Sequence, residues 1–170
     1  MRLSWNEIRA RAAEFAREWQ DAHYEKGEAQ SFYNDFFDVF GVKRRKVASF
    51  EEPVKLLGAR RGFIDLFWKG TLIVEQKSGG RDLKPAKQQA LDYFPGLKDY
   101  ELPRFLMLSD FQTIELYDLD EDRSVAFKLQ SFLRTLKSSA LSSASRSGRS
   151  VTRRRSMSMP LTSWESFMTP

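Results

Sequence analysis

The chain has 170 residues and a net charge of +5, with 14 Phe, 4 Trp, 5 Tyr, one His and no Cys. That length suits one ordinary domain plus a tail. Absence of Cys and a solitary His23 exclude disulfides, thiolate metal sites and a His-rich zinc centre.

The N-terminal MRLSWNEIRARAAEF is charged throughout and does not read as a signal peptide. No run approaches the ~18 apolar residues of a membrane span, so a cytoplasmic protein is expected. The positive charge is local. From Gln130 onward there are seven Lys/Arg and one acid, leaving 21 basic and 22 acidic groups in residues 1–129. The high pI therefore belongs to the tail and is no evidence that the folded part binds nucleic acid.

Ser4 and Glu7 form a capping-box pattern. Ile8, Ala12, Phe15, Ala16 and Trp19 then follow helical spacing, predicting an amphipathic helix over 5–22. His23 stands at its end, a place for a dipole-facing or solvated imidazole. Gly27 reads as a break, and a second helix is expected over 30–40, rich in Phe and stopped by Gly41. Glu28 at its entry has two readings: an acceptor for orphan backbone N–H groups, or a fourth acid of a metal site.

Lys43–Lys46 is a short basic run; Arg44 and Arg45 read equally as phosphate contacts or as solvated charges. Val47–Leu57 holds a short strand or helix. Arg60 and Arg61 follow, placed to approach the backbone of a duplex.

Residues 62–77, GFIDLFWKGTLIVEQK, are two apolar runs around Lys69–Gly70–Thr71. Strand alternation puts Phe63, Asp65 and Phe67 on one side, and Glu75 with Lys77 on one side of the next strand. A three-residue loop sets Asp65 opposite Glu75; a two-residue loop sets it opposite Val74 and sends Glu75 to the reverse face. The longer loop is expected. A third helix follows Ser78–Gly79–Gly80, with Asp82 or Lys84 at its cap and Pro85 in its first turn. On it Gln89 and Tyr93 share a side, as do Lys84 and Lys87. Strands are expected at 104–108, 113–117 and 125–129. This order predicts an α/β sandwich, a mixed central sheet flanked by helices.

Residues 130–170 contain twelve Ser and no apolar period after Leu136. They read as a Ser/Arg-rich disordered tail. One permitted codon choice for Lys137–Ser145, shifted by two bases, encodes an apolar segment. A frameshifted read-through of a longer gene is thus a second reading of the tail.

Two carboxylates one strand spacing apart repel, and Lys77 offsets only part of that. Hard Mg2+ prefers oxygen ligands, which Asp65, Glu75 and a backbone carbonyl near Gln76 supply. Such an ion polarises a phosphate and lowers the pKa of an attacking water. Lys77 is suited to orienting that water or stabilising charge at phosphorus.

Asp65–x9–Glu75–x–Lys77 resembles the PD-(D/E)xK nuclease superfamily, with Ile64 where the family name has Pro. Gln89–x3–Tyr93 resembles the Q-x3-Y element of RecB-like members, which implies a role in placing the DNA strand and the site. The segments EAQSFYNDFFDVFGVKRR, GFIDLFWKG, EQKSGGRDL, AKQQALDYFPGL and LPRFLMLSDFQTIELYDL resemble the N-terminal nuclease domain of MmeI-type (type IIG/IIL) fused restriction–modification enzymes. The likeness covers residues 1–129. It implies a Mg2+-dependent DNA endonuclease module acting on double-stranded DNA, cut off before its methyltransferase and target-recognition domains. The alternatives are a non-catalytic DNA-binding or docking module, and an inactive truncated remnant.

Overall fold

The computed structural model describes residues 3–136. A six-stranded sheet runs in the order β1 (Ser49–Lys55), β2 (Arg61–Trp68), β3 (Leu72–Gln76), β4 (Phe105–Ser109), β5 (Thr113–Asp118) and β6 (Arg123–Lys128). Neighbours pair antiparallel except β3 and β4, which are parallel. A parallel pair needs a crossover. Helix α4 (Lys84–Asp92) supplies it and covers one face. On the other face lie α1 (Trp5–Glu18), α2 (Glu25–Val39) and the short α3 (Arg44–Val47). This is the mixed α/β sandwich the element order predicts.

The capping box at Ser4 forms: Glu7 N–H donates to Ser4 Oγ, and Ser4 N–H to Glu7 Oε2. Helix α2 begins earlier than its Phe-rich stretch suggests. Gly27 lies inside its first turn because the Tyr24 ring packs there; a Cβ at Gly27 would sit 2.6 Å from Tyr24 Cδ1. The break assigned to Gly27 is thus a close packing contact. The ambiguous 47–57 stretch resolves as β1, an edge strand, where Pro53 costs no shared ladder bond.

Two cores sandwich the sheet. Phe15, Phe32, Phe36 and Phe37 pack on Leu66, Val74, Met107 and Leu116. Their rings meet mostly edge-on or tilted, as at Phe15–Phe32, 5.0 Å between centroids. Ala86 and Ala90 of α4, with Tyr93 at its C-terminal cap, pack on Phe67, Ile73, Leu106 and Leu108. Phe132 and Leu136 are buried in the first core, although they lie beyond the expected domain end at 129. Phe132 stacks on Phe127 and Phe36, so the folded unit takes in the first residues of the expected tail. The rest of the tail, with its frameshift reading, lies outside the described residues.

Alternation along β2 is not strict. Ile64 shares the α4-side core with Phe67, while Leu66 and Trp68 face the other core. The β1–β2 register is the same on both sides of Asp65, Phe50↔Leu66 and Glu52↔Ile64, but Glu51, which takes φ 51°, does not pair with Asp65 between them. The irregularity falls at Asp65. Phe63, expected to share a side with Phe67, is instead 52% exposed.

Candidate active site

The β2–β3 turn sets the geometry. Trp68 pairs with Leu72, Phe67 with Ile73 and Leu66 with Val74, leaving Lys69–Gly70–Thr71 as a three-residue loop. Gly70 takes φ +70°, which glycine adopts without a Cβ penalty. One step further along this register brings Asp65 level with Glu75. There a side chain takes over the ladder: Gln76 N–H donates to Asp65 Oδ2 at 2.7 Å.

Glu75 is 1% exposed. Its Oε1 accepts from Lys77 Nζ at 2.7 Å, and its Oε2 is buried with no hydrogen-bond partner. Lys77 Nζ also donates to Gln89 Oε1 at 3.0 Å. Gln89 Nε2 donates to the Tyr93 hydroxyl at 2.9 Å, and that hydroxyl donates to the Phe63 carbonyl at 3.0 Å. Glu75, Lys77, Gln89 and Tyr93 therefore form one connected chain from β3 to α4. Asp65 joins at its β3 end through the Gln76 amide.

Burial sets the electrostatics. It pushes the Asp65 carboxyl up to about 6, against the lowering pull of the Gln76 amide and Lys77. Burial also pushes Glu75 up to about 7; the Asp65 charge adds to this, and the Lys77 ammonium only partly opposes it. Tyr93 is raised to about 12, mainly by burial, with Glu75 and Asp65 contributing. A group favouring the neutral acid in the bare site is one that a cation would help to ionise.

The backbone around Lys77 is held from both sides. Lys77 N–H donates to the Ser109 carbonyl at 2.7 Å, continuing the β3–β4 ladder. Gly80 N–H donates to Asp110 Oδ2. Gln76 points to the opposite face, where the buried Tyr33 hydroxyl donates to its Oε1. Its Nε2 donates to the Lys77 carbonyl.

Glu28 takes the helix-entry position: its Oε2 accepts from the N–H groups of His23 and Tyr24. Those amides hold its carboxyl below the usual range. The acid on α2 whose charge reaches both Asp65 and Glu75 is Glu25, whose Oε2 accepts from Ser78 Oγ at 3.2 Å. Glu25 escapes the sequence because a helix begun at 30 leaves it in a loop. A start at 25 makes it a first-turn acid.

The basic residues divide. Arg44 is occupied: its guanidinium lies over the Phe50 ring at 4.1 Å and donates to Asn34 Oδ1 and the Ala48 carbonyl. Lys87 Nζ lies over the Tyr117 ring at 4.0 Å. Arg45, Arg60, Arg61 and Lys84 are exposed. Arg61 pairs with Lys55 near the tip of the β1–β2 ribbon.

Among the described residues no three His, Cys, Asp or Glu side chains form a ready-made metal cluster. The donor set is narrower: two carboxylates on adjacent strands, one with an orphaned oxygen, and Gln76 between Glu75 and Lys77.

The model of the MmeI N-terminal domain matches residues 10–155. The chain belongs to the MmeI N-terminal domain family. No curated protein matches it. A solved structure titled as a DrdV–DNA complex is similar at 14% identity and a TM-score of 0.49, over 75% of this chain. The chain spans 13% of that protein's length. Among the described residues no helix is long and apolar enough to cross a membrane.

Proposed function

We propose that this MmeI-family domain is the Mg2+-dependent DNA-cleaving module of a fused restriction–modification enzyme. The observation that carries the reading is Glu75 Oε2, a buried carboxylate oxygen without a hydrogen-bond partner beside Asp65 and Lys77. Leaving such an atom unsatisfied is costly, and a hard cation is the partner that suits it. Asp65, Glu75 and the Gln76 carbonyl would hold the ion. Once bound it would polarise a phosphate oxygen and acidify a water.

The chain's own residues do the rest. Lys77 presents an ammonium fixed between Glu75 and Gln89, where it stabilises negative charge on a phosphodiester or orients the attacking water. Gln89 keeps that ammonium from collapsing wholly onto Glu75. Tyr93 fixes Gln89 and is itself anchored on the Phe63 carbonyl. Arg45, Arg60, Arg61 and Lys84, all exposed, contact the phosphates of a double-stranded substrate. The methyltransferase and target-recognition domains of the fused enzymes would supply sequence choice. The cellular setting is cytoplasmic.

Supercoiled plasmid incubated with the chain in Mg2+ tests the reading, beside EDTA and Lys77→Ala. Nicked or linear product is expected only from the unaltered chain in Mg2+. Equal cutting by Lys77→Ala would remove Lys77 from the mechanism. Salt-sensitive DNA binding with no cut product under any condition would assign a docking role instead.

A further inference from the structure

The outer part of the β1–β2 ribbon has one covered face and one bare face. The covered face turns to α4: Val54 and Ile64 belong to the core on that side, and a Cβ at Gly62 would meet Tyr93 Cε1 at 3.0 Å. The 3-10 turn Phe94–Gly96 presses on the same face, since a Cβ at Gly96 would run into the Lys55 carbonyl. The Tyr93 hydroxyl holds the ribbon there by donating to the Phe63 carbonyl. Strand alternation then turns Pro53, Lys55, Arg61 and Phe63 the other way. All four are exposed.

These residues are two cross-strand pairs, Pro53↔Phe63 and Lys55↔Arg61. The first is apolar. The second sets two cations directly opposite each other, an arrangement that destabilises a sheet. Neither cation has an ion pair or a side-chain hydrogen bond among the described residues. Between Pro53 and Ile64 the sequence has no Asp or Glu. Elsewhere on the sheet such charges are answered: Lys69 pairs with Glu101, and Arg104 with Asp118. A facing pair of cations beside a facing apolar pair fits a partner that alternates anionic and apolar groups, as the phosphates and deoxyriboses of a DNA strand do. A second copy of the chain fits poorly. A two-fold contact would set this face against itself, cation toward cation.

We infer that this ribbon face holds one strand of duplex DNA, with a phosphate between Lys55 and Arg61 and the neighbouring deoxyribose on Phe63 and Pro53. The inference rests on the proposal above that duplex DNA is the substrate. Arg61 and Asp65 stand four residues apart on β2, about 13 Å at the rise of a strand. The phosphate held here is therefore a different one from that at Asp65 and Glu75. The facing cations cost stability in the free chain and are neutralised when the strand binds.

The test is binding of the full chain to a short blunt duplex at low salt in EDTA, where no metal ion bridges carboxylate and phosphate. Lys55→Glu should weaken binding about tenfold or more and lower the slope of log K against log salt by about one. It should melt no earlier than the unaltered chain, because an opposite pair replaces two facing cations. Lys128→Glu makes the same change of charge on β6, the far edge of the sheet, and should leave the slope unchanged. Phe63→Ser should weaken binding about fourfold, as the loss of a small apolar contact does, with the slope unchanged. Equal loss in Lys55→Glu and Lys128→Glu would reveal an effect of net charge alone and overturn the inference. So would an unaltered chain that binds no duplex, or a Phe63→Ser chain that binds as tightly as the unaltered one. Self-association that Phe63→Ser abolishes, with duplex binding unmoved, would give the face to a second copy instead. Cutting of plasmid in Mg2+ reports on the nuclease reading separately. A chain that cuts while Lys55→Glu binds as before keeps that reading and loses this one. A chain that never cuts but loses binding in Lys55→Glu and Phe63→Ser keeps the ribbon face and loses the nuclease.

Discussion

The buried Tyr33 hydroxyl donates to Oε1 of Gln76, and through Gln76 the α2 face of the sheet holds the opposite face in place. Two more polar groups of Gln76 are engaged as well: the main-chain N–H meets Asp65 Oδ2, and Nε2 meets the Lys77 carbonyl. Tyr33→Phe removes the donor and leaves a buried amide oxygen unmatched. The expected cost is about 1–3 kcal/mol, seen as a melting temperature lowered by several degrees. Because Asp65 and Lys77 lean on the same residue, Mn2+ affinity measured calorimetrically should also fall. A variant that melts earlier but binds Mn2+ unchanged would confine Tyr33 to packing.

Metal-free stability should fall as pH rises from about 5 to 8. Asp65 and Glu75 stay protonated in the folded chain to about 6 and 7, against ordinary values of 3.8 and 4.5. Over that range the folded chain binds more protons than the unfolded one, so raising pH favours unfolding. Glu7, Glu28 and Asp118 are shifted the other way. Their contribution is present above the ordinary carboxylate range and is lost only as pH falls below it, so it does not mask the effect. Thermal melts in EDTA should show the decline, and Mg2+ or Mn2+ should flatten it. A metal-free melting temperature that climbs from about pH 5 to 8 would contradict the clustered carboxylates.

Asp65→Asn separates charge from structure. The asparagine oxygen can still accept from Gln76 N–H, while the repulsion with Glu75 disappears. At about pH 8 in EDTA the melting temperature should hold or rise by a few degrees. The added stability given by Mn2+ should vanish, because one oxygen ligand has lost its charge. Loss of stability in EDTA would mean that the Asp65 charge is itself structural.

The fold was legible where periodicity was strong. The Phe-rich α2, the 62–77 hairpin and the β4–β5 pair each carry a clear period, and Gly70 with Thr71 settles the loop length that puts Asp65 level with Glu75. Legibility failed where a side-chain packing contact overrode the signal of residue type and composition. Gly27 reads as a helix end because residue type alone does not show which way the Tyr24 ring turns, and here it occupies the space of the missing Cβ. That one misplacement hid Glu25 and lent Glu28 a second reading. Phe132 and Leu136 sat in a Ser-rich stretch, and only the stack of Phe132 on Phe127 shows that they belong to the core. The Asp65 and Glu75 pair could be named from spacing; the orphaned Glu75 oxygen could not, because it depends on which side chains of the folded chain come within reach of it.

Gly70 offers a test of register that needs no chemistry. Its φ of +70° is strained for any residue with a Cβ, and a Cβ there would stand 3.1 Å from the Tyr100 carbonyl. Gly70 N–H already donates to the Glu101 carbonyl, so the loop is tied to the segment before β4 and cannot relax freely. Gly70→Ala should therefore cost about 1–2 kcal/mol. If the strain is relieved by shortening the loop, β3 slips by one residue and Glu75 turns to the face of Tyr33. The two outcomes differ in their metal response. A strained but correctly registered variant melts earlier and keeps its Mn2+-induced rise in melting temperature; a slipped one loses that rise, with Lys77 carried away from Gln89. Retention of the rise is expected, because Leu72, Ile73 and Val74 are fully buried and a slip would exchange their two cores.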